Sequence, residues 1–431
     1  MFLGTLFGRM FCAAVALIAA SCFLAGPTRA HSSDHNPESH ARKGKTDGIW
    51  YWTLPNTPNG LTPVQSWSGA GSTPNGEIFV AGQDHKTNSA LYRLRHQVLR
   101  YVGDARSASE AANNWEPGEV AEKFHTHPTW VDDRVYVATH SHSTMEEYLT
   151  RRGFHWYAYD IKDRNFSDLS ASQPGGVGAK GGLITIAPDA SRNLIYGAIN
   201  PTGDILRHHI DSGRNERIGR PDYHRPDVYP GRFMWVDSRG RLYFSAGNDE
   251  VPWYGAPYDP AIFNHIRYYD PAQGFGEMPN WTLHNQRAID AGKCFPEERV
   301  CYLMDNTGHI YKFAEAGPTW QYLGGIGQDS PIQANWNYVW VFHVTSDKKK
   351  AYIVTILGHF YEFDLGSGHA TFLGDLKKME PELATKDFLY GHDAWDGKGR
   401  FFFSAFNDLP RPVNTVLVAI DPKRLAAALR K

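Results

Sequence analysis

Two stretches of the chain carry the same unit and decide the fold: Val236-Asp-Ser-Arg-Gly-Arg-Leu-Tyr-Phe-Ser-Ala-Gly-Asn-Asp249 and Trp395-Asp-Gly-Lys-Gly-Arg-Phe-Phe-Phe-Ser-Ala-Phe-Asn-Asp408. In each, a tight turn containing Asp and Gly separates an apolar strand from an aromatic second strand. Residues equivalent to Tyr243 recur about every 50 residues, the length of a four-stranded propeller blade with loop insertions. These anchor residues are Phe79, Tyr136, Tyr196, Tyr243, Cys301, Tyr352 and Phe402. The sequence therefore predicts an all-β fold, a seven-bladed β-propeller of four-stranded antiparallel blades.

The two ends of the chain predict how the ring closes. Residues 414–421 form a third strand with no fourth strand after it, and only a short helical tail, residues 422–431, follows. Residues 49–54 are the first strand-like segment of the mature chain, so we expect the N-terminal strand to complete the last blade. The propeller would then span residues 48–431, which is a size that repeat folds permit.

The N-terminal segment has the pattern of a signal peptide over residues 1–30. Arg9 precedes an apolar run over residues 10–24, and Thr28-Arg-Ala30 offers small residues at a cleavage point. Lipidation of Cys22 is the alternative for this segment. Residues 31–47 are polar and are expected to form a disordered lead-in. The mature protein is therefore expected in the periplasm or outside the cell.

Charge and composition limit the partners. The formal net charge is −2 and the pI is about 6.9, so nothing electrostatic favours nucleic acid or an anionic membrane. The apolar run before residue 25 is too short to favour a membrane span, and we expect a monomer.

The mature chain keeps two cysteines, Cys294 and Cys301, on either side of a hairpin turn in the fifth blade. In an exported protein this arrangement favours a disulfide over two free thiols. Neither the number nor the spacing of the cysteines indicates a zinc site.

The 20 histidines divide into repeated and unrepeated positions. A histidine opens the third strand in four blades, and a residue that recurs around the ring is most simply explained by packing. These repeated histidines are His155, His265, His309 and His359. The unrepeated histidines are therefore the ones that carry information about function.

Several unrepeated polar residues are expected at one end of the central channel. The inner strand of a propeller blade begins on the face on which the second strand ends, and we call this face the channel mouth. Residues at such strand ends are His85, His125, His127, His140, His142, Arg232 and His392. Tyr148 and Arg151 lie in the long polar insertion that follows the second strand of blade 2. Trp253 lies among aromatic residues in the blade 4 loop, a composition that suits either sugar rings or loop packing.

Imidazoles and a tyrosine beside an arginine suit proton abstraction next to a carboxylate. Three motifs carry a resemblance to a known group: His125-Thr-His127-Pro128, His140-Ser-His142, and the stretch from Tyr148 through Arg151-Arg-Gly153 to His155. With Arg232, they resemble the propeller-fold polysaccharide lyases, which include oligogalacturonate, ulvan and rhamnose–glucuronate lyases. The resemblance extends over the whole propeller at the level of fold and over blades 2 to 4 at the level of motifs.

The resemblance implies a secreted or periplasmic enzyme that cleaves uronic-acid oligo- or polysaccharides by β-elimination. His142 and one of His125 and His127 would form the acid–base pair, Tyr148 would assist proton transfer, and Arg232 would bind the uronate carboxylate. Residues expected to bind the rest of the substrate are His85, His140, Arg151, Trp253 and His392. The particular uronic acid, the linkage and endo or exo action stay open.

Cofactor use and the class of protein also stay open. Some of these lyases hold a metal with several His and a Gln, and a divalent cation, calcium or manganese, bound with the help of His85 and His392 is one possibility. A non-catalytic propeller that binds a ligand or acts as a scaffold is an alternative. A calcium-dependent hydrolase or lactonase is another. Its candidate ligands are Asn248, Asp249, Asn407 and Asp408.

Overall fold

The computed structural model describes residues 36–141, 145–170, 180–223, 230–246, 265–284, 288–327, 338–408 and 413–429 of the 431-residue chain. These residues form seven antiparallel sheets. The inner strands contact one another in chain order, and the last contacts the first. The seven-bladed β-propeller is confirmed.

The strands follow the chain from blade to blade. β1 (Glu38–His40), β2 (Arg42–Lys43) and β3 (Ile49–Thr53) precede the first inner strand. Blade 1 contains β4 (Ala70–Ser72), β5 (Ile78–Gln83), β6 (Ser89–Arg95) and β7 (Val98–Asp104). Blade 2 contains β8 (Thr129–Val131), β9 (Arg134–Ala138), β10 (Trp156–Asp160) and β11 (Asn165–Asp168). Blade 3 contains β12 (Gly182–Asp189), β13 (Leu194–Asn200), β14 (Ile205–His209) and β15 (Asn215–Gly219).

The second half of the ring has the same order. Blade 4 contains β16 (Pro230–Val236), β17 (Leu242–Ala246), β18 (His265–Asp270) and β19 (Gly274–Thr282). Blade 5 contains β20 (Ile289–Phe295), β21 (Val300–Asp305), β22 (His309–Ala314) and β23 (Thr319–Gly325). Blade 6 contains β24 (Val339–Val344), β25 (Lys350–Thr355), β26 (His359–Asp364) and β27 (Ala370–Asp375). Blade 7 contains β28 (Phe388–Trp395), β29 (Phe401–Phe406), β30 (Val416–Ile420) and, from the N-terminal segment, β3.

Short helices lie in the connections. Among the described residues these are α1 (Ala105–Ala111), α2 (Met145–Thr150), α3 (Leu376–Met379), α4 (Pro381–Ala384) and, after the last strand, α5 (Pro422–Leu429), with 3₁₀ turns at Ala190–Arg192 and Pro296–Glu298. In the described part of the chain, no helix is long and apolar enough to cross a membrane. The predicted signal peptide and Cys22 lie outside the described residues.

The repeated turn has a local cause. The Asp237 carboxylate accepts hydrogen bonds from the backbone N–H groups of Arg239 and Arg241, at 3.0 and 2.9 Å. Gly240 supplies the left-handed backbone conformation, with φ of 85°, that this turn needs. The Asp396 carboxylate is used in the same way in blade 7. All seven anchor residues accordingly fall in second strands, as the repeat predicted.

The N-terminal strand closes the ring. β3 pairs antiparallel with β30, with Ile49 opposite Ile420 and Thr53 opposite Val416. Its side chains are buried on both faces of the blade: Tyr51 packs in the core next to blade 6, and Trp52 packs in the core next to blade 1. The prediction of closure by this strand is confirmed.

The segment before β3 differs from the prediction. β1 adds a fifth strand to blade 1 by pairing with β7, and β2 adds a fifth strand to blade 7 by pairing with β3. The Glu380 carboxylate also accepts hydrogen bonds from the backbone of Lys45 and Thr46. The expected disordered lead-in is therefore wrong for residues 38–43. A polar segment can still add to an exposed sheet edge, because backbone hydrogen bonds do not depend on side-chain polarity.

The disulfide is present as predicted. Cys294 of β20 and Cys301 of β21 lie opposite each other in the register of the hairpin and are covalently linked. The bond joins the inner and second strands of blade 5 next to their 3₁₀ turn.

Candidate active site in the central channel

Five inner strands contain a β-bulge, and these bulges determine which side chains meet in the channel. The register shifts lie between Leu183 and Thr185, Pro230 and Met234, Ile289 and Ala291, Val339 and Val341, and Tyr390 and Ala394. A bulge leaves a residue out of the hydrogen-bonded ladder and re-aims its side chain. The residues affected in this way include Arg232, Asp290, Trp340, His392 and Asp393. Arg232 and His392 were expected at strand starts, but they lie within the bulged segments of β16 and β28.

His125 and His140 form one part of the site in blade 2. Their ring centroids are 5.3 Å apart, and both side chains are buried. Gly182 of blade 3 leaves space for the His140 ring, because a Cβ on residue 182 would lie 2.7 Å from Cγ of His140. His125 Nδ1 is 3.1 Å from the carbonyl oxygen of the bulged residue Ile184. Since only a protonated nitrogen can donate to a carbonyl, this contact assigns the proton to Nδ1 and leaves the Nε2 lone pair available.

His127 and His392 form the facing part. Their ring centroids are 4.7 Å apart, so a side chain of blade 2 meets a side chain of blade 7, the blades on either side of blade 1. His127 keeps part of its surface accessible, but desolvation by the surrounding protein lowers its pKa to about 4. Burial, followed by the proximity of His127 and Arg232, lowers the pKa of His392 well below its ordinary value. Both imidazoles are therefore neutral at neutral pH.

Arg232 supplies a permanent positive charge near both parts. Its guanidinium carbon lies 5.2 Å from the ring centroid of Trp340, and its backbone N–H is 3.4 Å from an oxygen of Asp290. Burial first, and then the charges of Arg232 and Lys123, hold the pKa of His125 well below its ordinary value. Arg232 thus acts on imidazoles in both parts. We call these five residues the central cluster: His125, His127, His140, Arg232 and His392.

His85 and Arg151 belong to a separate ionic network beside the mouth. Glu122 joins them, with 3.2 Å to Nδ1 of His85 and 2.6 Å to Nη1 of Arg151. Arg151 also contacts the Glu147 carboxylate at 2.8 Å and donates to the carbonyl oxygen of Ser141. Burial lowers the pKa of His85. Two carboxylates therefore contact the Arg151 guanidinium, a feature that the sequence pattern does not reveal.

A second polar group lies in the channel next to His392. Asp393 contacts Lys293 of blade 5 through one carboxylate oxygen and His343 Nδ1 of blade 6, at 2.7 Å, through the other. Burial would raise the pKa of this carboxyl group, but the Lys293 charge and the His343 contact hold it well below its usual range. Sequence reasoning missed this group. Its one sequence signal is Gly391 inside a strand pattern, which is typical of a bulge.

Aromatic rings from blades 6, 7 and 1 border the central cluster. Trp340 stacks on Tyr338 with ring centroids 5.2 Å apart and meets Tyr390 edge-on at the same distance. Trp67, which is partly exposed, lies 6.0 Å from Trp340. Such rings suit the apolar faces of sugars as well as core packing. Trp253, which was expected to have this role, lies outside the described residues.

The structure brings together four of the expected histidines and Arg232, whereas three other expected residues, His142, Tyr148 and Trp253, are only partly described or not described. His142 lies outside the described residues. The backbone of Tyr148 lies in α2, and nothing is described of its side chain. Their predicted roles stay predictions.

No group of three or more His, Cys, Asp or Glu side chains within the described ranges is arranged to hold a metal ion. His85 contacts Glu122, whereas His392 contacts His127, so the two candidate ligands lie in different groups. Of the ligands expected for a calcium-dependent enzyme, Asn248 and Asp249 lie outside the described residues. The Asn407 side-chain oxygen accepts a hydrogen bond from the backbone of Asp387.

Comparisons with known proteins show the fold and nothing finer. A scan against known protein families finds no match, and a search of curated proteins finds no relative. A chain in the crystal structure of the Mitotic Checkpoint Complex is 11% identical with a TM-score of 0.53, over 95% of this chain and 99% of that one. The extracellular domain of the putative one-component system BT4673 from B. thetaiotaomicron is 9% identical with a TM-score of 0.49, over 85% of this chain. The match covers 39% of that chain.

Proposed function

We propose that the protein is a polysaccharide lyase that cleaves uronic-acid-containing glycans by β-elimination in the central channel. The observation that carries the proposal is that the buried Arg232 charge lies near two neutral imidazoles, His125 and His392, whose pKa values are lowered first by burial and then also by this charge. Elimination from a uronate needs a cation that neutralises the carboxylate and an uncharged base that removes the neighbouring proton. The central cluster supplies both kinds of group.

In the proposed reaction, Arg232 binds the uronate carboxylate and disperses the charge that develops when the C5 proton leaves. A neutral imidazole accepts that proton, and His125 suits this step because its Nε2 carries the lone pair. The electrons of the C5–H bond form the C4–C5 double bond as the C4–O bond breaks. A second group, for which His142 and His127 are the candidates, donates a proton to the leaving oxygen.

The low imidazole pKa values have a consequence for this reaction. Arg232 lowers the pKa of His125 and His392 in the free protein, after burial. A bound carboxylate would offset the Arg232 charge, so the imidazole pKa values would rise when an anionic substrate binds. The base would therefore become stronger only in the presence of its substrate.

The test is to incubate the purified protein with a panel of uronic-acid polysaccharides and follow the ultraviolet absorbance of the unsaturated product. We expect Arg232→Gln to lose at least about 100-fold in turnover, the loss typical of removing one charge-stabilising donor. Arg241→Gln is the matched control, because Arg241 is in the same blade, pairs with Asp270 and lies over the ring of Tyr268. It should retain wild-type turnover.

Two outcomes would replace the proposal. Binding of a uronate oligosaccharide, measured by calorimetry, without turnover on any polymer would identify a non-catalytic binding propeller. Activity that is lost on treatment with a chelator and restored by calcium would identify the metal-dependent alternative.

A further inference from the structure

The bulge in β28 places two neighbouring residues in two different polar groups. His392 faces His127 and belongs to the central cluster, whereas Asp393 contacts Lys293 and His343. The register shift between Tyr390 and Ala394 removes this segment from the regular ladder with β29. Its position therefore depends on something other than sheet hydrogen bonds.

The His392 side chain makes few directional contacts of its own. Among the described residues, its Nδ1 has no hydrogen-bond partner. Its Nε2 is 3.4 Å from the Tyr390 hydroxyl, at the outer limit of a hydrogen bond. His392 is 6% exposed but its imidazole is held by few hydrogen bonds, so the backbone and ring packing must determine its orientation.

The backbone of the bulge is packed tightly on two sides. A Cβ on Gly391 would lie 2.7 Å from the Phe403 Cβ, and a Cβ on Gly69 of blade 1 would lie 2.8 Å from the Gly391 Cα. These contacts limit where the segment can lie, but both involve Gly391, at one end of the bulge. At the other end, Asp393 provides the anchor.

Asp393 anchors the bulge because its buried charge is stabilised by contacts with side chains of two other blades. Its side chain is 4% exposed, so the carboxylate exchanges hydration for contacts with one cation and one imidazole. Lys293 comes from blade 5 and His343 from blade 6, so the contacts hold the blade 7 bulge against two other inner strands. We call these three residues the channel clamp: Lys293, His343 and Asp393.

We infer that Asp393, held by the channel clamp, is a positioning residue that orients His392 against His127 and Arg232. The structural part of the inference stands on the contacts above. Its consequence for turnover rests on the proposed function. Displacing a group in an active site by about 1 Å can cost about 100-fold in rate, so a loosened bulge should reduce turnover while substrate binding through Arg232 changes little.

The test uses Lys293→Met, which removes one contact of Asp393 and keeps most of the side-chain volume. The control is Lys350→Met, because Lys350 forms a comparable 2.6 Å pair with Glu362 on the second and third strands of blade 6. The first readout is the carbon–proton NMR spectrum of isotope-labelled histidines, in which the His392 signal is assigned by comparison with His392→Gln. We expect Lys293→Met to shift or broaden the His392 signal and Lys350→Met to leave it unchanged.

The second readout is kinetic and applies once a substrate is known. We expect Lys293→Met to lower kcat about 10- to 100-fold with KM changed less than about twofold, and Lys293→Arg to recover most of the loss. An unchanged His392 signal in a folded Lys293→Met protein would overturn the inference. Failure of that variant to fold would also overturn it, because the channel clamp would then serve general stability. Since the NMR result needs no turnover, failure of the lyase proposal would be recognised separately.

Discussion

The buried network around His155 predicts an alkaline loss of stability that the sequence would not suggest. His155 Nδ1 is 2.9 Å from an Asp168 oxygen, and Nε2 is 2.9 Å from a Glu119 oxygen. Arg152 also contacts Glu119 at 2.9 Å and donates to the Asn114 carbonyl oxygen. The network fixes the segment between α1 and β8, and this segment contains His125. The perturbation is a rise in pH from 6 to 9.5, applied to the wild type and to His155→Gln.

The magnitude follows from the pKa of His155. Burial opposes the charged form, but the hydrogen bond to Asp168 and the ion-pair contact with Glu119 outweigh it and raise the pKa from about 6.5 to about 9. Each pKa unit is worth about 1.4 kcal/mol, so the charged imidazole contributes about 3 kcal/mol to folding. Because the folded-state pKa is the higher one, this contribution is complete below pH 6.5 and disappears as the pH rises through 9.

The two carboxylates of the network give stability the opposite dependence on pH. The contacts with His155 outweigh desolvation and lower the pKa of both Asp168 and Glu119. Their contribution is therefore present above the ordinary carboxyl range and is lost as the pH falls through the depressed values. The network should stabilise the protein most between about pH 5 and 6.5.

The assay is urea unfolding at a series of pH values, with the stability difference between wild type and His155→Gln as the measured quantity. Other titrating groups cancel in this difference. We expect it to fall by about 3 kcal/mol between pH 6.5 and 9. A difference that stays constant over this range would mean that His155 is not held in its charged form, and the reasoning would be refuted.

Further predictions concern ring closure, the disulfide and the expected catalytic histidine. Trp52→Ala should reduce the free energy of unfolding by about 3–5 kcal/mol, because the Trp52 side chain is fully buried between blades 7 and 1. Trp50→Ala should reduce it less, because Trp50 is only half-buried. Equal losses in urea unfolding would count against closure by β3. Cys294→Ser should cost about 2 kcal/mol, the loop-closure entropy of a disulfide between residues seven positions apart, and an unchanged urea midpoint would contradict this. His142→Ala should fold and still bind a uronic oligosaccharide but lose about two to four orders of magnitude in the rate of eliminative cleavage. His309→Ala should stay active. Wild-type turnover in His142→Ala would remove His142 from the mechanism.

The outcome at the channel mouth shows how far sequence reasoning extends. The topology of strand ends was enough to bring His125, His127 and His140 of blade 2 together with Arg232 and His392. It did not identify Glu122 or Asp393, because their significance comes from partners on other blades. The sequence pattern also wrongly predicted disorder for residues 38–43, which form strands by pairing with the exposed edge strands of blades 1 and 7.

The sequence by itself determined the number of blades, the turns and the closing strand. Each of these depends on local chemistry that repeats: a buried second strand, an Asp-x-x-Gly turn, and an N-terminal strand that is apolar enough to complete the last blade. The tertiary structure alone decided how the side chains at the channel mouth pair with one another and which charge state each takes. Bulges in five inner strands redirect the side chains, and burial beside Arg232 lowers the imidazole pKa values. Both effects require the assembled ring, because desolvation and charge proximity arise only when several blades surround the same residue.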